Sequence, residues 1–226
     1  MTDEQPAPRE REETLSSLLG GRGGALDASL PPAAFVIGWL ASGRSIAWGA
    51  AAAIAVGVVV AVVRVARGTK PRAAVVSVTL VTIGAVVALR TGRAADFFLV
   101  QLLTNVASAL LWAASIVVRW PLLGVVVGLV LGQRTRWRRD RDLLRAYGRA
   151  SWLWVGQYVL RVAVYTPLYL ADQVVALGAA RVAMSWPLQI ACLAASWWVL
   201  RRALPAGHPG LRRPRTEPAD SASTGD

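Results

Sequence analysis

The residues of this chain that could do chemistry inside an apolar environment are few, and Arg161 is the sharpest. It sits ten residues after Ser151 in a run that is otherwise almost uncharged. A guanidinium at the centre of a membrane helix costs about 2.5–3.5 kcal/mol on insertion scales, so such a residue faces the bundle interior or a wet cavity. Gln157 lies one turn earlier, on the same helical face. Arg181 falls in the first half of the next apolar block, and Gln101 and Asn105 in an earlier one. Together these five would suit an anionic headgroup, phosphate or carboxylate. The competing reading is structural: Arg161 pairs with Asp96 or Asp172, or snorkels, and holds the bundle together.

Catalytic constellations are missing. Cys192 is the one cysteine, inside an apolar block, and His208 the one histidine, in a polar C-terminal stretch. A disulfide framework and a cysteine metal site are thereby excluded. No nucleophile is paired with a base, and no carboxylate pair lies mid-helix. The expectation is a protein without enzyme chemistry, catalytic residues, metal or cofactor. The run Gly20-Gly21-Arg22-Gly23-Gly24 lacks the strand and helix that a phosphate-binding loop needs on its two sides. It reads as a hinge.

A second charged group has a different character. Arg134, Arg136, Arg138, Arg139, Arg141, Arg145 and Arg149 crowd into 16 residues against only Asp140 and Asp142. Leu143, Leu144 and Tyr147 share one face of this stretch, as in a juxtamembrane helix. Basic clusters beside a membrane span attract anionic lipid at about 1 kcal/mol per residue. These seven arginines are the candidate lipid contacts.

The elements that must position these groups are long apolar blocks. The chain has 226 residues, 55% hydrophobic, with a formal net charge of +12. The positive charge falls between the blocks, where it sets membrane orientation, and not in a nucleic-acid-binding pattern. Blocks at 46–65, 73–89, 97–118, 151–171 and 174–200 are long enough to cross a bilayer as helices. The run 30–42 is short, at about 20 Å, and 122–132 is too short to cross alone. Trp120-Pro121 should end the fourth block, and Trp186-Pro187 interrupts the last.

Charge decides the topology. If 30–42 crosses and 122–132 stays on the cytoplasmic side, the Lys and Arg outside the helices divide twenty to three in favour of the cytoplasm. The expected fold class is therefore all-α: a polytopic transmembrane helix bundle of about six spans with one short re-entrant or interfacial segment. Residues 1–28 form a cytoplasmic polar tail with a Gly-rich hinge, without the features of a signal peptide. Residues 29–203 form the membrane domain, and 204–226 a disordered cytoplasmic tail.

The order of features also carries a resemblance. Leu30-Pro31 opens a short first segment and a basic turn follows the second helix. Arg119-Trp120-Pro121-Leu122 closes the fourth, Trp152 and Trp154 open the next, and Arg201-Arg202 end the last. This order is similar to the intracellular septation protein A family of bacterial inner-membrane proteins. The entry 20–30 and the loop Thr91-Gly92-Arg93 with Asp96 more closely resemble an uncharacterised actinobacterial multi-pass family of unknown function. The resemblance implies a cytoplasmic-membrane protein, linked to envelope synthesis or division, with no catalytic residues to carry over. The longer tails and heavy basic block depart from the septation family.

The leading functional expectation is a non-enzymatic scaffold of the cell envelope in the inner (cytoplasmic) membrane, both termini cytoplasmic. Its partners would be anionic lipids of the bilayer and other membrane proteins, with no nucleic acid. The alternative is a transporter or binder of a small anionic or lipid-linked substrate at Arg161, Arg181 and the nearby amides.

Overall fold

The computed structural model describes residues 21–68, 71–132 and 136–203; the side chains of residues 21–28, Arg136 and Arg139 lie outside that description. Among the described residues the chain is all-helical, with no strand. The helices are α1 (Gly21–Ala41), α2 (Ile46–Ala66), α3 (Pro71–Thr91), α4 (Leu99–Val117), α5 (Leu122–Val130), α6 (Arg141–Leu170), α7 (Val174–Ala183) and α8 (Trp186–Ala203). Short 3-10 turns at Ala94–Phe98 and Arg136–Arg139 precede α4 and α6.

Four stretches are long and apolar enough to cross a membrane: Ile46–Ala66, Pro71–Thr91, Ala94–Val117 and Val174–Ala203. They make this a membrane protein. The two further crossings expected from the sequence fall in α1 and α6, which are not among these four: α1 for the length of its described apolar part, α6 for its composition. The apolar part of α1 is only Ser29–Ala41, and α6 carries Gln157 and Arg161 within its apolar part. Large aliphatic side chains face outward all along the bundle, Val117 at 78% and Leu110 at 65% exposure among them. In water such a surface would be penalised at about 25 cal/mol per Å²; in lipid it is the natural covering.

Two boundaries differ from the sequence reading. The Gly-rich hinge is not a hinge at its C-terminal side, because helix α1 already begins at Gly21 and holds Pro31 and Pro32 in its interior. Its 21 residues give about 31 Å, of which Ser29–Ala41 is the apolar part. Helix α6 begins at Arg141, ten residues before the expected start, because the Asp140 carboxylate caps it by accepting from the backbone N–H groups of Asp142 and Leu143. The last block is broken at Trp186-Pro187 as expected, into α7 and α8. Residues 1–20 and 204–226, which include the two tails, lie outside the described residues.

Small residues let the helices approach. A Cβ added at Gly38 of α1 would lie 2.9 Å from the Ala52 side chain of α2, and one at Gly49 only 3.0 Å from the Phe35 carbonyl. Such close backbones supply the packing that hydrophobic burial cannot supply in lipid. Helix α2 packs in turn on α3, α4 on α6, α6 on α8, and α1 on α7.

Two clusters hold the ends. Away from the basic block, Phe35 stacks on Phe97 with ring centroids 4.0 Å apart, and Phe98 meets both edge-on. Tyr165, Val174 and Leu177 complete that core. At the arginine-rich end, Leu123, Trp137, Leu143, Tyr147 and Leu200 form the second. Helix α5, nine residues long, packs at this end through Leu123 and is too short to cross a bilayer alone.

Glycine substitutions separate tight positions from free ones. A Cβ at Gly84 would stand 2.8 Å from the Phe97 carbonyl oxygen, backbone that cannot step aside, whereas Gly148 has nothing within 4 Å. Gly84→Ala is expected to lose about 1–3 kcal/mol. Gly148→Ala should gain up to about 1 kcal/mol from helix propensity. Thermal unfolding of the purified variants in detergent checks both, and a harmless Gly84→Ala would refute the packing described.

Candidate functional site

The break between α7 and α8 builds the centre of the site. Pro187 lacks the N–H that would bond the carbonyl four residues back, and its ring collides with that carbonyl. Helix α7 therefore ends at Ala183 with Met184 as its cap, and α8 restarts at Trp186. The carbonyls of the two-residue link, Met184 and Ser185, then need donors where no water can reach them, and Gln189 N–H serves only that of Ser185, at 3.3 Å. Arg161 supplies the partner. Its Nη2 donates to the Met184 carbonyl at 2.9 Å and the Ser185 carbonyl at 3.2 Å. A cation there also meets the negative end of the α7 dipole. Ser29 of α1 comes within 3.4 Å of the Ser185 hydroxyl, so three chain segments meet at the break.

This placement corrects the expected pairing of Arg161. Asp96 and Asp172 are beyond it, at the C-terminal end of α6, where both lie 3.7 Å from the Arg93 guanidinium. Asp96 is not a loop-solvated carboxylate: it is 4% exposed and accepts from the Tyr169 hydroxyl at 2.6 Å. The Arg93 guanidinium covers the Tyr169 ring at 5.4 Å. These four residues clasp the 91–96 loop to the turn after α6.

Arg181, Gln101 and Asn105 are brought together as expected. Arg181 donates to Gln101 Oε1, and Gln101 Nε2 donates to Asn105 Oδ1 at 3.3 Å. Beside Arg181 is a cavity of about 10 Å³, bounded by Gln101, Tyr165 and Leu177 among others. That holds about one water molecule. Gln157 is not joined to this chain by a hydrogen bond. It is 4% exposed, and neither its Nε2 nor its Oε1 has a partner. The Nδ2 of Asn105 and the Nε of Arg161 are likewise unpartnered.

The basic block makes a separate site at the end of the bundle. Arg141, Arg145 and Arg149 are exposed at spacings of four, one stripe along the first turns of α6. Trp152, half exposed, prolongs the stripe. The Arg138 guanidinium stacks 4.0 Å from the centroid of the Trp120 ring. Arg201 and Arg202 cover Trp197 and Trp198 in the same way. Arg134 lies outside the described residues, and the side chains of Arg136 and Arg139 are not described.

The anchor of this block is Trp137, which sequence reasoning did not single out. It is 1% exposed, meets Tyr147 edge-on at 5.5 Å, and lies so close to Gly124 that an added Cβ would stand 2.8 Å from its ring. The signal was a lone Trp inside a charged run opposite a Gly inside an apolar one. The Tyr147 hydroxyl is buried without a partner. Burial, with the Asp140 charge adding to it, pushes its pKa from 10.0 up to about 12. Trp112 stacks on Trp154 at 4.9 Å, and Trp154 Nε1 donates to Ser196 at 3.1 Å. Those contacts fasten α4, α6 and α8 together, and they too escaped the sequence. Among the described residues no group of three or more His, Cys, Asp or Glu could hold a metal ion.

A family model described as a protein of unknown function (DUF3159) matches residues 19–207. No curated protein matches the chain, and no solved structure does.

Two tests address the geometry. Arg161→Leu removes the donor to the Met184 carbonyl and leaves the Ser185 carbonyl with the Gln189 N–H alone, and should cost about 1.5–3 kcal/mol. Arg161→Lys, with one fewer fork of donors, should recover part of that loss. Equal thermal unfolding of all three proteins would show the cap to be idle. For Tyr147, the folded pKa is raised, so its contribution is fully present below pH 10 and is lost as pH rises through about 12. Tyr147→Phe removes a stranded hydroxyl and should flatten that alkaline loss without destabilising the protein at pH 7. Unfolding curves at pH 7, 10 and 11.5 provide the comparison.

Proposed function

The chain belongs to the DUF3159 family of proteins of unknown function, and from that premise we propose a non-enzymatic integral membrane scaffold of the bacterial cell envelope. It crosses the cytoplasmic membrane six times with both termini in the cytoplasm, and α5 dips into the inner leaflet without crossing. The reading rests on one observation: Arg141, Arg145 and Arg149 project from a seat made rigid by buried Trp137 and Tyr147. Like charges four apart weaken an isolated helix by about 0.2–0.5 kcal/mol per pair. A rigid stripe of them gains by having an anionic surface opposite. The headgroups of the inner leaflet supply one, at about 1 kcal/mol per arginine.

The carrier alternative is weakened by what Arg161 does. Its guanidinium is engaged with two backbone carbonyls at the helix break and does not point free into a substrate path. The cavity beside Arg181, about 10 Å³, is too small for a lipid-linked substrate.

The scaffold reading predicts that Arg141, Arg145 and Arg149 matter more than Arg161 for cellular behaviour. In nanodiscs of mixed phosphatidylglycerol and phosphatidylcholine, replacing all three with Gln should weaken retention of the acidic lipid about a hundredfold. A C-terminal fluorescent fusion should concentrate at the septum or growing poles, and the triple variant should spread evenly. An even signal for the native fusion would overturn the scaffold. Dark but intact fusion protein would overturn the orientation.

A further inference from the structure

We propose that the interface between α4 and α6 binds a single halide-sized inorganic anion. The argument begins with a forced direction of hydrogen bonding. A guanidinium can only donate. Arg181 therefore obliges Gln101 to present its oxygen. The Gln101 amide nitrogen must then donate onward to Asn105 Oδ1, and Asn105 is left presenting an N–H₂ group. That group is buried, with Asn105 1% exposed, and has no acceptor. Turning the Asn105 amide over would break the bond from Gln101, so the donor at the end of the chain is fixed.

The opposing helix repeats the excess. Gln157 Nε2 and Arg161 Nε are buried donors without partners; Gln157 Oε1 is the one unpartnered acceptor beside them. Helices α4 and α6 run antiparallel. Trp112 stacks on Trp154 at one level, and Gln101 and Tyr165 line one cavity at another. Asn105 shares its face with Gln101 and Trp112, at spacings of four and seven. Gln157 and Arg161 fall between Trp154 and Tyr165. Both sets of stranded donors thus occupy the same stretch of one helix–helix interface.

Three donors and two guanidinium charges call for an acceptor that carries negative charge. Among the described side chains the carboxylates are elsewhere. Asp96 and Asp172 pair with Arg93, and Asp140 and Asp142 are at the start of α6. Size selects the class. The unpartnered atoms are closed off from the surface, and the neighbouring cavity has room for about one water. That cavity touches the head of the relay, Arg181 and Gln101, and not the three stranded donors themselves, so the interface leaves no room for a phosphate or a lipid headgroup and the proposal is confined to a monatomic anion.

The test is thermal unfolding of the full-length protein in a non-ionic detergent, with sodium chloride or bromide against sodium gluconate at equal ionic strength. Halide about a hundredfold above its Kd should raise Tm by about 5 °C or more, and the rise should saturate. Asn105→Leu and Gln157→Leu, each removing a stranded amide at similar volume, should weaken the halide affinity at least tenfold. Asn105→Asp places a fixed carboxylate at the site, and should be stable in gluconate and indifferent to halide. Equal Tm in halide and gluconate for the native protein would mean that water alone fills the interface, and the proposal falls. It falls equally if the halide response is unchanged in whichever variants fold.

Discussion

A bilayer offers no water to a backbone carbonyl, and the α7–α8 break leaves carbonyls that must find donors from the protein itself. Arg161 meets that requirement, and much of the arrangement around it follows. The donor has to reach the break from α6, so α6 packs on α8 near its middle. Ser29 approaches the same point and brings α1 across to close the bundle. In the six-span arrangement proposed, the cost of an arginine inside the bilayer, a few kcal/mol, is offset by bonds to two carbonyls at the negative end of a helix. A residue that looks functional by its rarity is here tied to a defect in the chain made by Pro187.

The two ends of the bundle solve a different problem by different means. At one, opposite charges and a tyrosine form a compact clasp: Arg93, Asp96, Tyr169 and Asp172. At the other, positive charge is in excess, and aromatic rings do the work that acids do opposite. Trp120, Trp197 and Trp198 each lie beneath a guanidinium. A ring face attracts a cation yet leaves its formal charge in place. The arginine-rich end thus stays strongly positive toward whatever lies beyond it, while its backbone is anchored by Trp137.

Local features were legible in the sequence. The apolar blocks, the stop at Trp120-Pro121 and the interruption at Trp186-Pro187 follow from helix length and proline geometry, and the structure has them. Grouping Gln101, Asn105 and Arg181 was also right, because polar residues in an apolar matrix have few places to go. Contacts distant in the chain were not legible. Composition does not say that Trp137 docks on Gly124, or that Tyr169 finds Asp96. Arg161 was weighed against the two acids because charge pairing is the obvious remedy for a buried cation. Stranded carbonyls are an equally good remedy, but they exist only once the break is folded. The starts of α1 and α6 were missed for a local reason: glycines and arginines are tolerated in a helix whose other turns are already fixed, by the Asp140 cap in one case and by packing on α2 in the other.

The Arg161 cap also bears on biosynthesis. Helix α6 leaves the ribosome before α7 and α8, so in the six-span arrangement proposed above its arginine reaches the bilayer before the carbonyls it needs have been made. Until then α6 has little reason to stay in lipid alone. Its stable insertion waits on the arrival of Met184 and Ser185, which couples the last three helices into one insertion unit. Straightening the break at Pro187 would then be felt first by α6, a helix that does not contain the proline. A feature that fastens the finished bundle also sets the order in which its C-terminal half can enter the membrane.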